Sequence, residues 1–192
     1  MNGNGQYHTI IALVEDKPGV LTRVASLFRR RGFNIASLAV GHSEQKGLSR
    51  MTFVVEGDEY IVDQATKQLD KLIDVVKVSD ISEVDLVARE LALIKVRTTQ
   101  ETRGQIIEIV QLFRAKTVDV GAQSLVIEAT GEEDKINALL NLLEPFGIME
   151  LMRTGRVAMV RGKSDGQVSD DFGISYLGNG KIGAEASEIG SY

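Results

Sequence analysis

The hydrophobic pattern at the start of the chain predicts a buried strand followed by an amphipathic helix. Residues 9–14 are almost wholly apolar and rich in β-branched side chains, which is typical of a buried strand. Residues 15–19 (Glu-Asp-Lys-Pro-Gly) have turn chemistry, and Pro18 disfavours helix at the residue before it, so the helix is predicted to begin after Pro18. Its apolar positions follow helical spacing: Leu21, Val24, Ala25 and Phe28. Gly32 suits the left-handed conformation that ends many helices.

The next segments complete one split βαβ unit. Strands are predicted at 33–40 and 48–56, joined by a loop with glycine at both ends. A helix is predicted for residues 59–74 and a short strand for 75–78. The resulting order is βαββαβ, which is the order of a ferredoxin-like unit.

The same order then recurs farther along the chain. Adding 85 to Gly19 and to the four apolar helix positions gives Gly104, Ile106, Ile109, Val110 and Phe113. Strands are predicted at 91–96, 117–122 and 124–130, a helix around Ile136–Leu143, and a closing strand, or a pair bent at Gly155, within 148–161. The fold class predicted from this repeat is α+β, with two ferredoxin-like domains at 7–82 and 91–162 and a linker at 83–90.

The composition changes after residue 162. Residues 163–192 are rich in Gly and Ser and show no sustained apolar period. Such a segment buries too little apolar surface to offset the entropy of ordering the chain, so it is predicted to be a disordered tail. Phe172–Tyr176 is its best candidate for a docking segment.

Composition and charge exclude several classes of protein. The chain has 192 residues, no Cys, two His and a formal net charge of −5. Disulfides, thiolate metal sites and cysteine nucleophiles are therefore excluded, and a mildly acidic chain is a poor candidate for nucleic-acid binding. We find no apolar run of about 20 residues for a membrane span and no secretory signal at residues 1–5. A cytoplasmic protein is expected.

Catalytic signatures are missing from the sequence. It contains no GxSxG elbow, no HExxH and no phosphate-binding GxxxxGK[ST] loop. We therefore expect a non-catalytic protein with no metal or cofactor of its own. An acylphosphatase-like hydrolase on the same split βαβ plan is an alternative, although the first turn lacks an arginine placed to hold phosphate.

The turn between the first strand and helix is the best candidate for a ligand site. Gly19 allows close approach of a ligand, and the N–H groups of Val20, Leu21 and Thr22 stand unpaired at the helix start, an arrangement that binds carboxylate or phosphate. Asp16 and Asn34 can accept hydrogen bonds from an ammonium group, and Asn34 is expected on a strand beside the first. This combination fits a free α-amino acid. The alternative is purely structural: a turn glycine, an Asx turn and a strand-end cap.

Other features favour association or a structural role. Four-stranded sheets with open edges and small cores predict a homodimer. Gly104 and Asp119 occupy the positions equivalent to Gly19 and Asn34, but the proline is missing, and a structural role is favoured over a second ligand site.

Two roles are considered for several arginines and for three methionines. Arg29–Arg31 are predicted to be a solvated helix end, and docking to an acidic partner is the alternative. Arginines on presumed strands are expected to pair with carboxylates or to meet a partner: Arg50, Arg153, Arg156 and Arg161. Met149, Met152 and Met159 are read as core or interface residues. His8 and His42 are not expected to be ligands.

Residues 15–28 (EDKPGVLTRVASLF) and 31–38 (RGFNIASL) resemble the ACT domain, a small amino-acid-sensing module. Four further segments narrow the resemblance: LSRMT (48–52), QLDKLIDVVKV (68–78), FRAK (113–116) and RTGRV (153–157). Together they resemble the regulatory (small) subunits of acetolactate synthase, also called acetohydroxyacid synthase. The resemblance covers about residues 7–162 and leaves out the tail.

The resemblance implies a regulatory role in branched-chain amino acid biosynthesis. Such subunits bind the large catalytic subunit, raise its activity and impose feedback inhibition by valine, sometimes by leucine or isoleucine. Thiamine diphosphate, magnesium and FAD would belong to the large subunit. The implied effector contacts, made across a dimer interface, are Asp16, Gly19, Val20, Leu21, Asn34 and Ile35. The alternative is a stand-alone ACT-domain sensor that controls another enzyme or transcription.

Overall fold

A computed structural model describes residues 6–162 of the 192-residue chain. The predicted tail, with Phe172–Tyr176, and residues 1–5 lie outside the described residues. The first repeat contains β1 (Tyr7–Glu15), α1 (Val20–Arg31), β2 (Asn34–His42), β3 (Leu48–Glu56), α2 (Glu59–Leu69) and β4 (Val75–Asp80). The second contains β5 (Leu86–Arg97), α3 (Arg103–Leu112), β6 (Lys116–Val120), β7 (Ser124–Gly131), α4 (Glu133–Leu143), β8 (Ile148–Arg153) and β9 (Val157–Val160).

Helix α1 begins and ends at glycines in the left-handed conformation, as its sequence predicts. Gly19 has φ +89° before the first helical residue, and Gly32 has φ +70° after the last. The N–H of Phe33 returns to the carbonyl of Phe28 at 3.0 Å, which closes the helix end. Three arginines in the last turn complement the negative end of the helix dipole.

The first sheet is antiparallel, with strand order β2-β3-β1-β4. The prediction that the strand beginning at Asn34 lies beside β1 is therefore wrong. The β2–β3 hairpin places β3 against β1 and leaves β2 at the edge. Asn34, Glu56 and Tyr7 share a row at one end of the sheet, whereas Glu15 and Leu48 pair at the other.

The core of the first repeat lies between this sheet and its two helices. Alternate residues of β1 point into it, namely Ile10, Ala12 and Val14. The ring of Phe28 stacks on Phe53 with centroids 5.3 Å apart and meets Phe33 edge-on at 5.7 Å. The intervening residues Thr9, Ile11 and Leu13 are also buried, so both faces of β1 are covered.

Helix α2 ends at Leu69, five residues before the predicted end. Apolar spacing continues to Leu72, but Leu72 reaches the core from a turn. This turn brings Asp74 to the start of α1, where its carbonyl accepts from the N–H of Glu15 at 2.8 Å and its carboxylate pairs with Arg23.

The second sheet has the order β6-β7-β5-β8, and β9 also pairs with β5. Strand β5 begins at Leu86 instead of Leu91, so residues 86–90 of the predicted linker are strand. The closing segment forms two strands on either side of Gly155, which has φ +82°. The predicted α+β class with two ferredoxin-like units is confirmed, with one extra strand in the second. None of the helices formed by residues 6–162 qualifies as a membrane span.

Candidate functional site

The turn between β1 and α1 is held by backbone contacts to the neighbouring hairpin. The N–H of Asp16 donates to the carbonyl of Gly47 at 2.8 Å. The N–H of Lys17 donates to the carbonyl of Glu15 at 3.0 Å, and the two side chains form an ion pair at 2.9 Å. The chain then passes through Gly19 into the helix, so the turn has a defined shape before any ligand binds.

The start of α1 offers two unpaired backbone donors. The N–H of Val20 donates to the carbonyl of Lys17 at 3.4 Å, which differs from the expectation that this group is free. In the described part of the chain, the N–H groups of Leu21 and Thr22 meet no acceptor, and no side chain caps the helix. These two groups lie at the positive end of the helix dipole, an arrangement that favours a bound anion.

Val20 and Leu21 differ in what their side chains offer. Val20 is 3% exposed and packs into the core of the first repeat, whereas Leu21 is 47% exposed. The apolar surface beside the helix start is therefore that of Leu21. Val20 holds the helix onto the sheet.

Asp16 has a partner that the sequence reasoning missed. Its carboxylate lies 3.2 Å from Nδ1 of His42, at the far end of β2. The two residues are distant along the chain, and only the pairing of the β2–β3 hairpin brings them together. The turn therefore has a carboxylate and an imidazole at its rim, both exposed to solvent.

Asn34 and Ile35 lie at the opposite end of the sheet from this turn. Strand β2 has nine residues, and at about 3.3 Å per residue its ends are about 26 Å apart. Because His42 at one end contacts Asp16, Asn34 at the other end is far from the turn. A single chain therefore does not bring the two predicted groups of effector residues together.

Glu56 lies beside Asn34 and is a second residue that the sequence did not indicate. The amide Nδ2 of Asn34 donates to Oε2 of Glu56 at 2.7 Å, across the β2–β3 pair. The amide oxygen of Asn34 and the Glu56 carboxylate form a pair of acceptors suited to an ammonium group. Ile35, next to Asn34, is partly buried against the core.

Strand β2 is an edge strand and pairs only with β3 among the described strands. Its residues are exposed or half-buried, with Val40 among the exposed apolar side chains. An uncovered edge of this length is a template for pairing with another strand.

The equivalent turn in the second repeat is closed by its own side chains. Thr99 and Thr102 exchange hydrogen bonds between hydroxyl and backbone N–H groups at 2.9 and 3.2 Å. Arg103 donates to the carbonyls of Gly121 and Ala122. Gly104 lies inside α3. These contacts favour the structural role for this turn.

The four arginines predicted on strands each pair with a carboxylate: Arg50 with Glu44, Arg153 with Glu90, Arg156 with Glu133 and Arg161 with Asp85. The strand prediction is wrong for Arg156, which lies between β8 and β9, and for Arg161, which follows β9. Two of them, Arg153 and Arg156, line a cleft of about 510 Å³ between the repeats.

Met149, Met152 and Met159 are exposed, so the prediction that they are core residues is wrong. Within residues 6–162, no cluster of His, Asp and Glu could hold a metal ion.

The chain matches two known proteins over nearly their whole length. It is 59% identical over 155 residues to a probable acetolactate synthase small subunit of Archaeoglobus fulgidus, covering 81% of this chain and 97% of the relative. It is 59% identical over 162 residues to the acetolactate synthase small subunit of Mycolicibacterium smegmatis, covering 84% and 95%. The chain belongs to the acetolactate synthase small-subunit family. The family resemblance of the sequence motifs is confirmed.

Family models and a solved structure cover both repeats of this small subunit. A model described as an acetohydroxyacid synthase small-subunit-like ACT domain matches residues 10–77, and one for the small subunit of acetolactate synthase matches residues 89–162. The crystal structure of the small subunit from Thermotoga maritima has a TM-score of 0.78 and 46% identity, covering 82% of this chain and 99% of that chain. The first repeat is therefore an ACT domain.

Proposed function

We propose that this chain is the non-catalytic regulatory subunit of acetolactate synthase, which activates the catalytic subunit and inhibits it when valine is bound. The thiamine diphosphate, magnesium and FAD would be held by the large subunit, in the cytoplasm. Family membership supports the partnership. The proposed effector site rests on one observation: its two groups of residues lie at opposite ends of the edge strand β2 within one chain.

A second copy of the chain can join the two halves. If β2 pairs antiparallel with β2 of another copy about a two-fold axis near Leu38, Asn34 of one copy lies opposite His42 of the other. Since His42 contacts Asp16, the Asn34 and Glu56 pair then approaches the Asp16–Leu21 turn. The same pairing would cover the open edge of β2, so dimerisation would both pair this edge and complete the ligand site.

Valine has the polar groups that this composite site would bind. Its carboxylate would accept hydrogen bonds from the N–H groups of Leu21 and Thr22, and its ammonium group would donate to Asn34 and Glu56 of the second copy. The exposed side chain of Leu21 offers a contact for the isopropyl group.

Several contacts must combine for useful affinity. One helix start contributes only about 0.3–1 kcal/mol to an exposed anion. Sub-millimolar binding requires more than about 4 kcal/mol. Neither half of the site is therefore sufficient by itself, which fits a site completed by dimerisation. Inhibition also requires that valine bind the inhibited state of the complex more tightly than the active state.

Mixing two defective subunits tests the shared site. Gly19→Asp alters the turn and Asn34→Ala alters the opposite end, so each variant alone is expected to lose valine binding. In randomly mixed dimers about half are heterodimers, and each of these has one unaltered site, so calorimetry should recover about one quarter of the sites. No recovery on mixing, or a strictly monomeric chain in sedimentation, would contradict the proposal.

A further inference from the structure

The turn between β8 and β9 lies directly against the strand that carries Asn34. The backbone N–H of Arg156 donates to Oγ of Ser37 at 3.0 Å. A Cβ atom added to Gly155 would lie 2.5 Å from the same Oγ and 3.3 Å from the carbonyl oxygen of Leu38. Contact this close is possible only with glycine, which also adopts the required φ of +82°. The second repeat thus presses on β2 itself.

The side chain of Arg156 contacts both repeats at once. Its Nη1 donates to Oγ1 of Thr9 at 3.1 Å, on the central strand of the first sheet. Its Nη2 donates to Oε2 of Glu133 at 2.9 Å, at the first residue of α4. Thr9 is 2% exposed, so this hydroxyl is an acceptor shielded from water. One guanidinium group therefore joins β1 of the first repeat to α4 of the second.

Arg153 fixes the other end of the same turn within the second repeat. Its guanidinium group pairs with the buried carboxylate of Glu90 on β5. It also donates to the side-chain oxygen of Asn137 on α4 at 3.0 Å. A displacement of residues 153–156 would therefore act on α4 and β5 together.

Strand β2 is irregular at the point of contact. Its register shifts between Ile35 and Ser37, so Ala36 is left out of the ladder. Such a bulge bends the strand and re-aims the side chains on either side of it. Asn34 and Ile35 precede the bulge and Ser37 follows it, so a ligand that repositions the first pair acts on a segment in contact with Arg156.

We propose that Arg156 is a positioning residue that couples the effector strand of the ACT domain to the second repeat. This inference rests on the proposed function, because it assumes that valine binds at Asn34 and Ile35. Valine binding at β2 biases the position of the 153–156 turn, and the bond of Arg156 to Thr9 keeps this turn against the first sheet so that it follows β2. The bonds of Arg156 to Glu133 and of Arg153 to Asn137 transmit the bias to α4. Coupling of this kind is a free energy between two sites, so it is measured by separating binding from response.

Two variants remove side-chain contacts of Arg156 and leave its backbone contact with Ser37 in place, and a third serves as a matched control. Arg156→Met removes the guanidinium group, and the nearly isosteric Thr9→Val removes only its acceptor in the first repeat. Arg89→Met removes a similar ion pair, with Glu132 at 3.0 Å, that lies wholly within the second repeat. Inhibition is measured in complexes with the large subunit and binding on the regulatory subunit alone, with L-valine as the probe in both.

The expected result is a loss of response without a loss of binding. Calorimetry on Arg156→Met and Thr9→Val without the large subunit should give a Kd for valine within about twofold of wild type. The valine-dependent decrease in enzyme activity should shrink at least about fivefold. Arg89→Met should respond as wild type does. Hydrogen exchange gives an independent readout: valine should change the protection of residues 153–157 and of the start of α4 in wild type but not in the two variants.

The outcomes separate this inference from the function on which it rests. A wild-type complex that binds no valine overturns both. A normal wild-type response with unchanged inhibition in Arg156→Met and Thr9→Val overturns the coupling alone. In the Thr9→Val/Arg156→Met double variant the response should match that of Arg156→Met, whereas additive losses would show that the two side chains act separately and would overturn the coupling. If Arg156→Met fails to fold, Thr9→Val and Glu133→Ala, which remove the two acceptors of its guanidinium group, decide the question.

Discussion

Replacing Gly19 by aspartate tests the proposed anion site at the start of α1 most directly. The substitution has room, because a Cβ added at Gly19 meets no atom within 4 Å. Its backbone penalty comes from φ of +89°, which costs an L-residue about 1–2 kcal/mol and least for Asn and Asp. The folded turn should therefore persist, with a carboxylate beside the N–H groups of Leu21 and Thr22.

The effect on valine binding follows from the charge that the variant introduces. The new carboxylate would compete for the same donors and lie beside the carboxylate of the ligand. Two like charges about 4 Å apart repel by about 4 kcal/mol at an effective dielectric constant of about 20. This corresponds to roughly a thousandfold weaker binding of valine.

Gly19→Asn is the matched control for this charge. Asparagine has the shape of aspartate and tolerates the same backbone conformation, but it has no charge. Calorimetric titration with valine should therefore show far weaker binding for Gly19→Asp than for Gly19→Asn. In a mixture with the catalytic subunit, Gly19→Asp should lose inhibition by valine and keep its activation. Equal affinities of the two variants for valine would refute a ligand carboxylate at the helix start.

Two further predictions concern stability and can be measured by urea denaturation. His8 is 8% exposed, and neither ring nitrogen has a hydrogen-bond partner among the described residues, so His8→Leu should raise the free energy of unfolding by about 1 kcal/mol; a decrease would show that the imidazole makes a favourable contact. Asp58 caps α2 by accepting from the N–H of Ile61 at 2.9 Å, so Asp58→Ala should lower it by about 1 kcal/mol. Lys67→Ala, which removes an exposed pair with Asp63, should change it by less than about 0.5 kcal/mol and is the control for Asp58→Ala.

Elements governed by local chemistry could be predicted from the sequence. Pro18, Gly19 and Gly32 determine where α1 begins and ends, and both ends lie where the sequence predicts them. Strand β3 has the predicted bounds because its apolar run is interrupted on both sides. The end of α2 was missed, since apolar spacing alone does not distinguish a last helical turn from a loop that packs on the same core.

Features that depend on pairing between distant segments could not be predicted in the same way. The place of β2 at the sheet edge depends on which strand of the hairpin meets β1, and the sequence pattern is the same for either. The contacts of His42 with Asp16 and of Glu56 with Asn34 follow from that pairing. The residues of the candidate site are a prediction from the sequence, while their division between two ends of the sheet required the structure.

The backbone bond between the N–H of Arg161 and the carbonyl of Asp85, at 2.9 Å, has a consequence for engineering. It places the first and last residues of the second repeat next to each other. Exchanging residues 85–161 between family members would keep these two ends together, and the contacts of Gly155 and Arg156 with the first repeat would then have to be matched. Chimaeras that exchange this segment offer a direct genetic route to learning which repeat specifies the choice of catalytic subunit.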